Sequence, residues 1–555
     1  MPDRIESFKV VCSGGLNSNE NHLDLSDNKP GAATRLVNYE PSLFGGYRRI
    51  DGYEAYDGGY DEVTVAGSST AEGKVLGVAI FKNDATNLTQ IIAARKDVGT
   101  ATYSFYYHTP YIGWRKFALD HSHVRNMTDG VRTVDKLRHA SFNFGTGNHI
   151  CFVDGVNPAI IFNGTHWDAL LSSGDGTNST QTPHTPGGDQ CLDAPTVVDV
   201  FENHLFLSGD RTSESVIAYS APSAPYDFTV ASLAGQIYAG FDVVQIKPFR
   251  DNLFVFGNNA IKKVSADLTS GFVADQVTTN VGCVARDSVL EIGGDLLFLA
   301  PDGLRPVAGT SRIGDVELET VSKPIQSLLV DVIKNADLST LNGVVIRSKS
   351  QVRYFWGDDT ILVEDSDGLI GGLTDTNGSV GWEFGTTIGI RASCCSSEYI
   401  GTEEIIIHGD YDGKVYRQEV GNSFAGRDVV AIYATPYYDF NDTEIRKGMR
   451  KVNTFLRAEG PFVMNLALAY DWGDYTTARP STYTQESKGG PTVFGGRNIT
   501  YGGANVTYGG NSKPIMTSDI QGSGFSVRAT YVTVGQFDPY TIQGIVFEYS
   551  VSGRR

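Results

Sequence analysis

DNLFVFGNNAIKKVS, residues 251–265, sets one short apolar run, Leu253 to Phe256, against a second, Ala260 to Val264, across Gly-Asn-Asn. Two runs of strand-forming residues joined by glycine and asparagine, which accept tight turn geometry, predict a β-hairpin. The same plan returns in GNHICFVDGVNPAIIFNG from Gly147, ENHLFLSGD from Glu202, GDLLFLAPDGLRPVAG from Gly294 and EEIIIHGDYDGKVYRQE from Glu403. VRYFWGDDTILVED from Val352 fits as a further unit, and VLGVAIFK with TQIIAARK gives another from Val75. The first apolar residues, Ile150, Leu205, Leu253, Leu296, Val352 and Ile405, follow at intervals of roughly 40 to 60 residues, the length of a four-stranded antiparallel blade. The repeats predict an irregular β-propeller of about six or seven blades over residues 61–424. A chain of β-sandwich units with long loops is the alternative.

Composition agrees with an all-β class. Of 555 residues, 63 are Gly, 27 Tyr and 28 Phe against 5 Met, and 41% are hydrophobic, enough for a large core. The net charge of −19 offers no basic footprint for tight nucleic-acid binding. Six cysteines without a C-x-x-C pair predict free, buried thiols, including the adjacent Cys394 and Cys395. No apolar run approaches the ~18 residues of a membrane span, so a soluble chain folded in a reducing cytosol is expected.

Helix is expected in one place. In VSKPIQSLLVDVIKN, Ile325, Leu328, Leu329, Val332 and Ile333 follow helical spacing, with Ser322 as the expected cap and Pro324 in the first turn. After residue 424 the strands lengthen. In FVMNLALAY, Phe462, Met464, Leu466, Leu468 and Tyr470 share one face, which marks residues 425–555 as a β-sandwich. Residues 1–60, rich in Gly, Asn and Pro, are expected to form an extended arm.

FGGRNITYGGANVTYGG, residues 494–510, repeats an aromatic and two glycines every seventh residue. Glycine at that density excludes a helix. The stretch is expected to belong to one long loop, residues 473–520, and Phe494, Tyr501 and Tyr508 are its candidate gate or docking residues.

Motifs for chemistry are missing: no G-x-S-x-G, P-loop, H-E-x-x-H or G-x-G-x-x-G follows a strand. His121 and His123 share a strand face but lack a third ligand, and the Asp-Gly loops at Asp365, Asp375 and Asp410 lack the distant Glu of a calcium loop, so Asx turns are expected. The expectation is a non-enzyme without cofactor or metal.

Both ends of the chain carry a resemblance. SGGLNSNENHLDLSDNKPGAATRLVNYEPSLFGGYRRIDGYE from Ser13, YDFNDTEIRKGMRKV from Tyr438, the Tyr-Gly-Gly stretch, and SGFSVRATYVTVGQFDPYTIQGIVFEYSVSGRR from Ser523 resemble bacteriophage virion structural proteins. Among these, the tail nozzle, tail hub or packaged-DNA stabilisation proteins of short-tailed double-stranded-DNA phages are the most similar in role. The resemblance implies a homohexameric ring below the portal and adaptor, a DNA exit channel, docking of fibres, spikes or a plug, and a place in the virion tail after assembly in the host cytoplasm. An acidic lumen that lets DNA pass without sticking is compatible with the net charge. The alternatives are a tail-fibre-like or carbohydrate-binding propeller adhesin and, less favoured, a surface-glycan hydrolase.

Overall fold

The computed structural model describes residues 5–42, 45–56, 73–97, 99–109, 113–118, 125–177, 185–267, 271–307, 320–357, 366–376, 379–473, 481–487 and 514–554. Each sequence hairpin opens on the second strand of a radial sheet, with the Val75 hairpin opening on a first strand instead. In blade 4, for example, Val243–Phe249, Asn252–Gly257, Ile261–Asp267 and Gly271–Thr278 pair antiparallel in that order. The polar-then-apolar texture thus marks the turn from the first to the second strand, where Glu202, Asn203 and Arg250 take positive φ.

The protein is all-β, a β-propeller of six self-contained blades whose ring is completed by a sheet shared with a sandwich. Blades 1 to 4 start at Val75, Arg138, Val197 and Val243, and blade 5 is a three-stranded sheet from Leu290 to Pro306. Position 6 is the Asn342–Ile346, Gln351–Phe355, Gly368–Thr376 and Ser379–Thr387 half of a nine-stranded sheet. Blade 7 starts at Cys394. First strands pack against neighbouring first strands, blade 4 meets blade 5 through the 3-10 turn Arg286–Ser288, and the strand opening at Cys394 returns to the one opening at Val75. Apolar clusters fill the wedges between neighbours. Phe81, Phe105, Phe152, Phe162 and Trp167 join blades 1 and 2, and Val75, Ile91, Ile405 and Ile407 join blades 7 and 1.

The residues expected as an extended arm are instead built into the molecule. Ile5–Val11 pairs with Tyr540–Arg554, and Arg35–Val37 bridges Ser379–Thr387 of the propeller to Val429–Ala434 of the sandwich. Tyr39–Pro41 and Tyr47–Arg49 join the second sandwich sheet. Tyr53–Ala55 supplies the outer strand of blade 7, so the start of the chain closes the ring. Glycines permit the crossings. A Cβ on Gly31 would sit 1.9 Å from the Val11 carbonyl oxygen, and Gly46 takes φ +90° against the Ile542 carbonyl. A helix not foreseen in the sequence, α1 (His22–Asn28), lies in this segment, with the Asn21 side chain accepting from the Leu23 N–H.

The sandwich places Val429–Ala434, Val527–Gly535, Phe462–Tyr470 and Tyr483–Ser487 over a sheet centred on Ile445–Ala458 and Tyr540–Arg554. Along Phe462–Tyr470 the five residues expected to face inward are buried and the alternate four are not. Two strands, Tyr483–Ser487 and Ile515–Asp519, occupy part of what the sequence suggested was one loop. The expected helix is α2 (Gln326–Asn335), preceded by a 3-10 turn; Ile325, Leu328, Leu329 and Val332 are buried in the core that joins blades 5 and 6 to the sandwich. Ser322 does not cap it. Its Oγ accepts the Leu304 N–H at 2.9 Å, because the buried end of blade 5 needs an acceptor there. Among the described residues no helix is long and apolar enough to cross a membrane.

Phe547 is fully buried against Tyr438 and Phe440. Phe547→Ala should cost about 3–5 kcal/mol. A lowered urea midpoint for loss of tyrosine fluorescence, with an unchanged slope, is the expected outcome.

Candidate functional site

Phe494, Tyr501 and Tyr508 lie outside the described residues, as do His121 and His123. The strands that flank the Tyr-Gly-Gly stretch, Tyr483–Ser487 and Ile515–Asp519, sit at one rim of the sandwich, where Gln485 Nε2 donates to Ser518 Oγ at 2.8 Å. Asp410 forms an Asx turn as expected: its Oδ1 accepts from the N–H groups of Asp412 (2.9 Å) and Lys414 (2.7 Å). All six cysteines are free, and burial pushes Cys12 up to about 12 and Cys394 to about 11, which makes them inert thiols.

Two groups of charged residues do converge. The first lies where the N-terminal segment crosses from sandwich to propeller. Glu40, buried in Tyr39–Pro41, accepts from Arg48 at 2.8 Å, Lys349 at 2.7 Å and Arg353 at 3.0 Å. Arg353 also reaches Glu419, beside the last blade, at 2.5 Å, and Lys349 bonds Glu419 as well. Arg48 forks onto Asp51 (2.9 and 3.1 Å) and onto Glu459 of the sandwich (2.7 and 2.8 Å). Burial alone would raise the Glu40 carboxyl, yet Lys349, Arg48 and Arg353 together hold it below its ordinary value. Glu40, Asp51 and Glu419 have donor oxygens within 4.8 Å of one another, a spacing a cation could use. Here the nitrogens of Arg48, Lys349 and Arg353 already occupy those oxygens, so the cluster is an ion-pair node that locks blades to sandwich.

The second group surrounds a cleft of about 300 Å³ whose walls come from five successive blade positions. Arg132, Asp135 and Arg138 lead into blade 2, Glu214 comes from blade 3, and Asp242 with Val244 opens blade 4. Arg286 and Asp287 precede blade 5, and Ser339 precedes position 6. In a ring, only the axis is adjacent to so many blades, so the cleft is the mouth of the axial channel. Asp287 accepts from Arg138 Nε and Nη2, both at 2.8 Å, and pairs with buried Lys136 at 3.4 Å. Burial opposes ionisation of Asp287, but Arg138 and Lys136 overrule it and hold the carboxyl well below the carboxylate range. Arg132 bonds Glu214 and the Gly209 carbonyl (3.0 Å). Between blades 3 and 4, Lys247 pairs with Asp199 at 2.8 Å, and His139 of blade 2 is lowered to about 4 by burial and by Lys247.

Sequence reasoning missed this cleft because its residues belong to no motif. The available signal was positional: Asp135 to Arg138, Asp242, and Arg286 with Asp287 each fall just before or at the start of the first strand of a unit.

The fold therefore defines a propeller fused to a β-sandwich through a shared sheet, with a polar axial cleft. The sequence matches no family model and no curated protein. Among solved structures it is similar to an exo-β-1,3-galactanase from Phanerochaete chrysosporium, at 9% identity, covering 90% of this chain and 100% of that one, with a TM-score of 0.24. It is similar to Hsv2 from Kluyveromyces lactis at 10% identity, covering 57% and 98%, with a TM-score of 0.28. It is also similar to BBS1N in its complex with ARL6DN at 9% identity, covering 64% and 94%, with a TM-score of 0.33. At these identities and scores no activity is transferred, and the fold rests on the sheets themselves.

Glu40→Gln should destabilise the protein by about 3–5 kcal/mol, because Arg353 and Lys349 keep their charge and lose a buried partner. The folded pKa of Glu40 is depressed, so its contribution is complete above the ordinary value of 4.5 and is lost as pH falls through the folded value. Melting temperature measured against pH should drop more steeply on acidification for the parent than for Glu40→Gln.

Proposed function

We propose that this chain is a structural subunit of a phage tail machine: a nozzle that assembles as a homohexameric ring below the portal and adaptor, forms the DNA exit channel and offers a docking surface for fibres or a plug. The observation that carries the reading is the placement of the segment on which the resemblance to such proteins rests. Within SGGLN through GGYRRIDGYE, Gly31 and Gly46 allow backbones to cross, and Asn38, at φ 55°, ties Ile388 to Val430 through its side-chain amide. Arg48 and Glu40 form the ion-pair node, and Arg49 donates to the carbonyls of Phe537 (2.5 Å) and Gly535 (2.8 Å). The segment is the joint between propeller and sandwich, and a part that works by shape while DNA passes needs such a joint to be stiff.

The charge supports the same role. At −19 the chain repels a polyanion overall, which suits a part that DNA passes without being held. A non-enzymatic role fits this reading. A carbohydrate-binding adhesin is the competing one, since propellers serve both ends.

Mass photometry of the purified chain, alone and with its tail adaptor, should give a hexamer, and negative-stain images a six-fold ring. A stable trimer or monomer in the presence of the adaptor, coupled to glycan binding, would overturn the proposal.

A further inference from the structure

The charges at the axial mouth do not all cancel in pairs. Arg138 is held by Asp287 and Asp135, Arg132 by Glu214, and Lys136 by Asp287 and the Leu341 carbonyl. Arg286 remains. Its Nε donates to the Val244 carbonyl at 2.8 Å, which fixes the plane of the guanidinium. Among the described residues no group accepts from its two terminal nitrogens, and no carboxylate lies within 4 Å of it, although it is only partly exposed in the cleft. Burial and the nearby Arg138 pull it down to about 10, against the opposing pull of the Asp135 and Asp287 carboxylates, neither of which forms an ion pair with it. On the rim Asp242 is exposed, again without a described cation within 4 Å, and Asn258 and Ser339 add neutral polar groups to the same wall.

We propose that the axial cleft binds a small hydroxylated carboxylate, a sugar acid in size and chemistry, whose carboxylate is held by Arg286 and whose hydroxyls are read by Asp242, Asn258 and Ser339. Three arguments select this class. A guanidinium oriented by its Nε presents two parallel N–H donors, the geometry that suits a carboxylate. A volume of about 300 Å³ lies at the lower end of ligand pockets and suits a single sugar-sized molecule rather than a polymer. The remaining wall contains Asp242, Glu214 and Asp135, which disfavours a doubly charged anion but accepts hydrogen bonds from hydroxyls. The site is independent of the nozzle reading: each chain contains all of it.

Isothermal titration of the full chain with D-glucuronate, D-glucose and inorganic phosphate tests the assignment. Glucuronate should bind saturably with one site per chain, glucose should give no heat, and phosphate should bind at least tenfold more weakly. Arg286→Ala should weaken glucuronate at least tenfold with the melting temperature preserved. Asp242→Asn, a change at an exposed side chain, should weaken glucuronate severalfold while leaving phosphate unchanged. No glucuronate binding, equal binding of phosphate, or glucuronate affinity untouched by Arg286→Ala overturns the proposal. Should Arg286→Ala fail to fold, unchanged glucuronate affinity in Asp242→Asn overturns it alone.

Discussion

Glu40 is a carboxylate with almost no access to water, surrounded by Arg48, Lys349 and Arg353. An isolated charge there would cost several kcal/mol, so the chain can be buried at this point only when strands from three regions arrive together: the N-terminal segment, position 6 of the ring and the end of blade 7. The net stability from such a node is modest, since desolvation offsets most of the attraction. Its effect is on specificity. A register slip in Tyr39–Pro41 or Gln351–Phe355 would strand a charge, and the alternative packings are penalised far more than the native one is favoured.

That constraint explains the unusual division of the sheets. A propeller needs its last blade joined to its first, and here the joint uses Tyr53–Ala55, thirteen residues downstream of Glu40 at its nearer end. The same segment has already passed through the sandwich, so neither body closes before the other. Arg35–Val37 makes the sheet of position 6 continuous with the sandwich, and α2 fills the wedge between them with Leu328, Leu329 and Val332. Elsewhere in the ring each wedge has its own apolar cluster. At positions 5 and 6 the wedge and the sandwich core are one. Relative motion of the two bodies would have to break this core and the ion pairs together.

The axial channel follows from the same ring. Both faces of a blade fill wedges, so the cleft is lined mainly by the segments that lead into first strands, and these bring charged residues together from sites far apart in sequence. Neighbours pair most of these charges, Asp287 with Arg138 and Arg132 with Glu214, while among the described residues Arg286 and Asp242 form no ion pair.

Period and turn chemistry are local properties, and the sequence by itself determined what depends on them: hairpins at Asp251, Glu202 and Gly294, the apolar face of Phe462 to Tyr470, the stripe of α2, and the inert thiols. Ser322 shows the limit of local reading, because a residue placed to cap α2 was claimed by the Leu304 N–H from another strand. The N-terminal segment shows it more strongly. Gly, Asn and Pro at that density signal turns and crossings, but which backbones cross there depends on partners as distant as Gly421, Ile542 and Phe384. The fold alone makes these residues close the ring, sets Glu40 against Lys349 and Arg353, and brings Arg286 into the cleft beside Arg138, Asp135 and Asp287. The physical reason is that pairing of buried charge is long-range in sequence and short-range in space, so it leaves no period to read.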